Sequence, residues 1–101
     1  MYPIADDSNA RQARNYIRDA ESYLLKADAY RHDSIYYQKK AEEYQREAEY
    51  YTRMKNLDKA KYFMTSAAKA IDECKTQAKY AKNAENNASD CLIRAANALR
   101  R

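Results

Sequence analysis

The sequence contains no glycine, no tryptophan and no valine, and Pro3 is its only proline. Glycine supplies left-handed turns and helix C-caps, so its absence argues against β-hairpins, phosphate-binding loops and most β folds. The abundant residue types, which are Ala, Glu, Lys, Arg and Gln, are good helix formers. The composition therefore predicts an all-α protein that forms one helical domain over residues 1–101.

Large aliphatic side chains are also scarce. Hydrophobic residues make up 46% of the chain, but alanine and tyrosine supply most of that fraction. A conventional deep core is therefore not expected, and burial must come from a thin seam between close helices. No stretch reaches the length of a membrane span, and the N-terminus lacks the pattern of a signal peptide. We expect a cytoplasmic protein without membrane contact.

What the sequence does have is two stripes with a spacing of seven residues. The first half places a small residue three positions before each of six tyrosines, namely Ala13, Ala20, Ala27, Ser34, Ala41 and Ala48 before Tyr16, Tyr23, Tyr30, Tyr37, Tyr44 and Tyr51. The second half repeats the small stripe at Ala60, Ala67, Cys74, Ala81, Ala88 and Ala95. Such spacing predicts long helices that pack along one seam, as in a coiled coil.

The stripes are interrupted once, at residues 55–58, where Asn56 or Asp58 can cap a new helix. The first helix is predicted to begin near the N-terminus, because proline, acidic residues and serine favour the start of a helix, and these occur at Pro3, Asp6, Asp7 and Ser8. We therefore predict helices at about 7–54 and 58–99, joined by a turn at about 55–57 into an antiparallel hairpin. A break near Asp33 and Ser34 would give a three-helix bundle instead, but Ser34 keeps the seven-residue phase and favours one continuous helix.

Two pairings of the stripes are compatible with a short turn. The preferred one sets each large ring against a small residue, from Tyr51 opposite Ala60 to Tyr16 opposite Ala95. The competing one sets alanine against alanine and centres the turn on Met54. On the second helix, a stripe of larger residues is expected in the seam (Leu57, Met64, Ile71, Ala78, Leu92 and Leu99, with Glu85 as the exception), widened by Phe63, Ala70, Ala84, Cys91 and Ala98.

Several apolar residues fall outside this seam. Ile17 and Leu24 suggest a second face, and a hairpin alone has no second layer. We therefore expect a homodimer that forms a four-helix bundle. Exposed apolar and aromatic residues are also candidates for binding a protein partner, since aromatic anchors dominate interfaces. These candidates are Ile17, Leu25, Tyr36, Tyr50 and Tyr62.

Catalytic and metal-binding patterns are missing from the sequence. His32 is the only histidine, and no glycine-rich nucleotide motif is present. Cys74 and Cys91 lie 17 residues apart, too far for a disulfide on one helix, and are expected to be small packing residues. We expect no enzymatic activity, no cofactor and no metal.

The net charge of +4 is unevenly distributed. Residues 1–54 carry nine basic and ten acidic side chains, whereas residues 55–101 carry ten basic and five acidic ones. A closed hairpin would gather arginines from both helices at one end, where they are candidates for binding anions: Arg11, Arg14, Arg18, Arg94, Arg100 and Arg101. Such contacts to phosphates would be independent of base sequence and sensitive to salt.

The sequence therefore predicts a small protein–protein interaction module, acting as an adaptor, an assembly factor or an inhibitor of a larger complex through its helical surface. The alternative is a nucleic-acid-associated protein that uses the basic second helix and its arginine-rich end. The two hypotheses differ in which residues matter, because one depends on apolar anchors and the other on surface charge.

Overall fold

The computed structural model describes residues 4–100, with side chains described from Ser8 onward. It contains two helices, α1 (Ile4–Arg53) and α2 (Leu57–Arg100), packed against each other as an antiparallel hairpin. The predicted all-α hairpin is confirmed, with boundaries within three residues of those expected. α1 continues through Asp33 and Ser34 without interruption, so the three-helix alternative was wrong. Pro3 and Arg101 lie outside the described residues.

The turn consists of Met54, Lys55 and Asn56. The backbone N–H of Asn56 donates to the Tyr51 carbonyl at 2.9 Å, and the backbone N–H of Lys55 donates to the Thr52 carbonyl at 3.1 Å. These two bonds, together with the positive φ of 60° at Lys55, form a Schellman motif, which satisfies carbonyls left open at a helix end. A lysine thus occupies the left-handed position that glycine would normally take.

The second helix begins at the same place because Asn56 caps it. The Asn56 side-chain oxygen accepts a hydrogen bond from the Lys59 backbone N–H at 3.3 Å, which is the usual geometry of a helix N-cap. Asp58 lies in the first turn of α2, where a negative charge interacts favourably with the helix dipole. One three-residue segment therefore ends α1 and starts α2.

The described residues divide into two compact units, each containing a part of both helices. The first unit joins the N-terminal part of α1, up to Ala29, to the part of α2 from Tyr80 onward. The second unit is the continuous segment Tyr30–Lys79, which contains the turn. Each unit is held together by the same kind of contact between the helices.

That contact is small residue against small residue. In the first unit, two buried clusters join the helices: Ala13 with Ala95 and Ala98, and Ala20 with Ala88 and Cys91. In the second unit, the Ser34 hydroxyl lies 3.1 Å from the Cys74 carbonyl oxygen and 3.3 Å from its sulfur. The preferred pairing of Tyr37 with Cys74 was therefore wrong, and the competing pairing of small residues describes the seam.

Residue size accounts for this pairing. Small residues let two helices pack near the lower limit of about 8 Å between axes, and a tyrosine ring between them would hold them further apart. Tyr16 and Tyr23 instead pack against the alanine clusters and stay half-buried. The tyrosine stripe thus covers one side of the seam rather than filling it.

The same geometry corrects the prediction for α2. The stripe of larger residues expected in the seam is largely exposed, with Leu57 at 71%, Met64 at 54% and Leu99 at 62%. The stripe that was expected only to widen the seam is buried instead, at Ala70, Ala84, Cys91 and Ala98. α2 is therefore rotated so that its smaller residues face α1, because only they permit the close approach.

Candidate interaction surface

An aromatic cluster lies next to the turn in the second unit. We use this name for five rings: Tyr44, Tyr50, Tyr51, Tyr62 and Phe63. Phe63 is at its centre, with its ring stacked on Tyr51 (centroids 5.6 Å apart, planes 2° apart) and 6.1 Å from Tyr44. These contacts cross from α1 to α2, so the cluster also ties the two helices together.

Two members of the aromatic cluster face solvent while being held by the others. Tyr50 meets Tyr51 edge-to-face at 5.0 Å, and Tyr62 meets Phe63 in the same way at 5.2 Å. Tyr50 remains 47% exposed and Tyr62 65% exposed. Edge-to-face pairs are favourable by about 0.5–1.5 kcal/mol, so each of these exposed rings is held against its half-buried neighbour.

Tyr36 repeats the arrangement two heptads before Tyr50. It packs edge-to-face on Tyr37 at 5.3 Å, has the Lys40 ammonium 5.7 Å from its ring centroid, and is 53% exposed. A shallow groove of about 340 Å³ lies beside it, lined in part by Tyr37, Tyr44 and Ala70. In each of the three predicted partner-binding tyrosines, an exposed ring is thus supported by the half-buried ring of the next residue. These tyrosines are Tyr36, Tyr50 and Tyr62.

The opposite side of the seam, which we call the open side, carries the residues four positions after each small residue. In the second unit it forms a groove of about 760 Å³ with Thr52 and Gln45 on the α1 wall, Met64 and Ile71 on the α2 wall, and Ala48 and Ala67 at its base. No tyrosine lines this groove. The two sides of the helix pair therefore differ in chemistry.

In the first unit the corresponding positions are aliphatic except for Glu85. Ile17 is 40% exposed, Leu24 47%, Leu92 47% and Leu99 62%. Leu25, the next residue after Leu24, is turned about 100° around the helix and is 71% exposed. Of the predicted partner-binding residues, Ile17 thus belongs to the open side, whereas Leu25 lies on the outer surface of α1.

The predicted anion-binding arginines lie on the surface of the first unit. Arg11, Arg14, Arg18, Arg94 and Arg100 are all exposed, and Arg101 lies outside the described residues. Because Ala13 packs with Ala95 and Ala98, the segments that carry these arginines are brought together. Arg94 and Arg100, six residues apart, stand about 120° apart around α2, so the set does not converge on one face.

The described residues contain few side chains typical of metal centres. Across residues 4–100 there is no group of three or more His, Cys, Asp or Glu side chains that could hold a metal ion. Cys74 and Cys91 are both free thiols. Within the same range, neither helix has a segment that is long and apolar enough to cross a membrane.

Comparison with known proteins adds no functional assignment: no protein-family model, no curated protein and no solved structure matches the chain.

Two of these surface features were not identified from the sequence. The sequence pattern predicts only that Phe63 widens the seam, yet Phe63 is the centre of the aromatic cluster. The groove on the open side does not follow from that pattern either, because the pattern places Met64 and Ile71 inside the seam. The available signal was residue size: in both helices the smallest residues recur every seven positions, and the larger ones follow three or four positions later.

Proposed function

We propose that this protein is a non-enzymatic protein–protein interaction module whose partner docks on the aromatic cluster. It would act as an adaptor, an assembly factor or an inhibitor of a larger complex. The observation that carries the proposal is the support of Tyr50 and Tyr62, each exposed but held edge-on by a half-buried ring. Ordered aromatic side chains lose little conformational entropy on binding, which makes them effective anchors.

The burial pattern supports the same proposal. The buried residues of the described chain are alanines and one cysteine, and no large side chain is fully buried. Large apolar side chains are instead exposed on both helices, among them Leu25, Tyr36 and Ile93. Contiguous exposed apolar surface, such as the aromatic cluster provides, is typical of interaction sites. The partner surface that fits the aromatic cluster is apolar and contains acceptors for the tyrosine hydroxyls.

The test is affinity capture from a lysate of the source cell with three versions of the chain. The wild type should retain a stoichiometric protein partner, and Tyr50→Ser combined with Tyr62→Ser should weaken its binding at least tenfold, as expected for interface anchors. Tyr80→Ser is the matched control, because Tyr80 is a tyrosine with 44% exposure in the first unit. Equal partner recovery with all three versions would contradict the proposal.

A second candidate function is association with nucleic acid, favoured by the exposed arginines of the first unit and by the basic surplus of residues 55–101. It predicts that Arg11→Ala and Arg14→Ala, combined with Arg100→Ala, reduce binding, and that binding falls steeply as salt rises. Nuclease treatment before capture separates the two functions. A partner that survives nuclease supports the interaction module, whereas recovery of nucleic acid alone supports this second candidate.

A further inference from the structure

We propose that a second copy of this chain covers the open side, with α2 of each copy lying over α1 of the other and both turns at the same end. The open side is distinct from the aromatic cluster, so this inference does not rest on the proposed function. It is argued from the apolar character of the open side, from the surface area of the chain and from the charges on the two rims of the groove.

The first observation is that the base and the α2 wall of the open side are apolar and uncovered, whereas its α1 wall in the second unit includes Gln45 and Thr52. In the second unit the groove of about 760 Å³ exposes Met64, Ile71 and the alanines at its base. In the first unit, Ile17, Leu24 and Leu92 occupy the corresponding positions and are 40–47% exposed. These residues continue the seven-residue repeat of the seam. In a four-helix bundle, apolar residues at this spacing form the face that packs against the second helix pair.

The second observation is the surface area. The chain exposes 7904 Å², whereas a compact monomer of 11.8 kDa exposes about 5,900 Å². The excess is therefore about 2,000 Å² per chain. Permanent homodimers bury about 2,000–5,000 Å² in total over both partners. The surplus surface is thus of the size that pairing with one further copy removes.

The third observation concerns the rims of the groove in the second unit, which carry opposite charges. The groove of about 760 Å³ is lined from α1 by Glu49 and by Arg53. A neighbouring pocket of about 270 Å³ is lined by Glu42 from α1 and by Lys75 from α2, and Lys61 occupies the heptad position of Lys75 two repeats earlier. The α1 rim therefore carries two carboxylates, with Arg53 next to the turn, and the α2 rim carries two ammonium groups. A partner with the opposite arrangement would be electrostatically complementary.

Two copies can pack face to face in two ways, and only one of them brings rims of opposite charge together. A twofold axis parallel to the helices places α1 over the α2 of the other copy, so each acidic rim meets a basic rim. A twofold axis perpendicular to the helices within the groove plane places α1 over α1, so like charges meet. The charge pattern therefore selects the arrangement with both turns at one end.

The pairing along the seam determines which residues of α1 and α2 lie at the same height along the helix axes. Ser34 is level with Cys74, and steps of seven residues along each helix then make Ala48 level with Ala60. Glu49 and Lys61 follow these two alanines and lie at nearly the same height. An axis parallel to the helices preserves height, so Glu49 of one copy faces Lys61 of the other, twice per dimer. Gln45 also lines the groove, and its amide needs a hydrogen-bonding partner when covered.

Sedimentation equilibrium of the purified chain, from low to several hundred micromolar, tests the first part of the proposal. We expect a species of twice 11.8 kDa. Met64→Glu should shift it to monomer, because a carboxylate would be buried in the groove. Tyr62→Glu is the control, since Tyr62 is exposed on the same helix but lies in the aromatic cluster, and it should leave the dimer intact. A wild type that is monomeric throughout would overturn the proposal, and so would a dimer unaffected by Met64→Glu.

Charge reversal tests the arrangement of the copies and keeps the proposal testable if Met64→Glu fails to fold. Glu49→Lys alone and Lys61→Glu alone should each weaken dimerisation roughly tenfold, since two symmetric pairs become repulsive. The double variant should restore wild-type dimerisation. If the double variant is as weak as the singles, the pairing of α1 with the partner's α2 is wrong. Partner capture by Tyr50 and Tyr62 is read separately, so failure of either proposal can be recognised.

Discussion

At the scale of single residues, the structure depends on side-chain size more than on hydrophobicity. Alanine recurs along the seam between the two helices, with Ser34, Cys74 and Cys91 as the exceptions, although one buried methyl group contributes only about 0.8 kcal/mol, against about 1.5–3 kcal/mol for a buried leucine. The alanines are selected by geometry, since a larger residue at these positions would separate the backbones. A volume increase in the seam should therefore cost stability even when it adds apolar surface.

Ala81→Leu tests this directly. Ala81 is 0% exposed, and overpacking a closely packed site costs about 1–3 kcal/mol. We expect that loss in the free energy of unfolding, measured by urea denaturation followed by circular dichroism. Ala29→Leu is the control, because Ala29 is exposed on α1 and its replacement should change stability little. Equal stability of Ala81→Leu and the wild type would show that the seam is not closely packed there.

Lys55 is the other residue whose role depends on local geometry. Its φ of 60° lies in the left-handed region, which costs a residue with a Cβ about 1–2 kcal/mol, whereas glycine adopts it freely. Replacing Lys55 by glycine would remove this cost. Part of the resulting gain in stability would be offset, because glycine makes the unfolded chain more flexible.

We therefore expect Lys55→Gly to raise the free energy of unfolding by about 0.5–1 kcal/mol, measured by urea denaturation. Lys59→Gly is the comparison, since it places glycine in the first turn of α2 and should destabilise by about the same amount. A loss of stability in Lys55→Gly would mean that the Schellman motif does not form as described.

At the scale of elements, the two helices and the turn could be predicted because their signals are local. The seven-residue phase runs unbroken through Ser34, and Asn56 is an N-cap residue just before α2. The pairing of the helices was harder to predict. A tyrosine opposite an alanine and an alanine opposite an alanine both satisfy the repeat, and only the approach distance of the backbones separates them.

The candidate site was predicted in part. Tyr36, Tyr50 and Tyr62 were expected to be exposed because they lie off the stripe, and they are. Their support by Tyr37, Tyr51 and Phe63 was not expected. It depends on how α2 is rotated about its axis, and that rotation follows from the packing of small residues between the helices.

At the scale of the whole molecule, a seam of small residues leaves the large ones available for other contacts. The aromatic cluster lies on one side, and Met64 and Ile71 line the open side opposite Gln45 and Thr52. We propose different uses for the two sides, a protein partner on the aromatic cluster and a second copy on the open side. Both proposals require that the alanine stripes face each other within one chain, because a different pairing would rearrange both surfaces.

Cysteine cross-linking tests that pairing most directly. With Cys91→Ala removing the other thiol, Ser34→Cys and Tyr37→Cys each place one new cysteine within reach of Cys74 under one of the two pairings. Because the Ser34 hydroxyl lies 3.3 Å from the Cys74 sulfur, we expect Ser34→Cys to form an intramolecular disulfide under mild oxidation in dilute solution, identified by peptide mapping with mass spectrometry. Tyr37→Cys should keep both thiols free. Cross-linking of Tyr37→Cys but not Ser34→Cys would contradict the alanine-to-alanine seam.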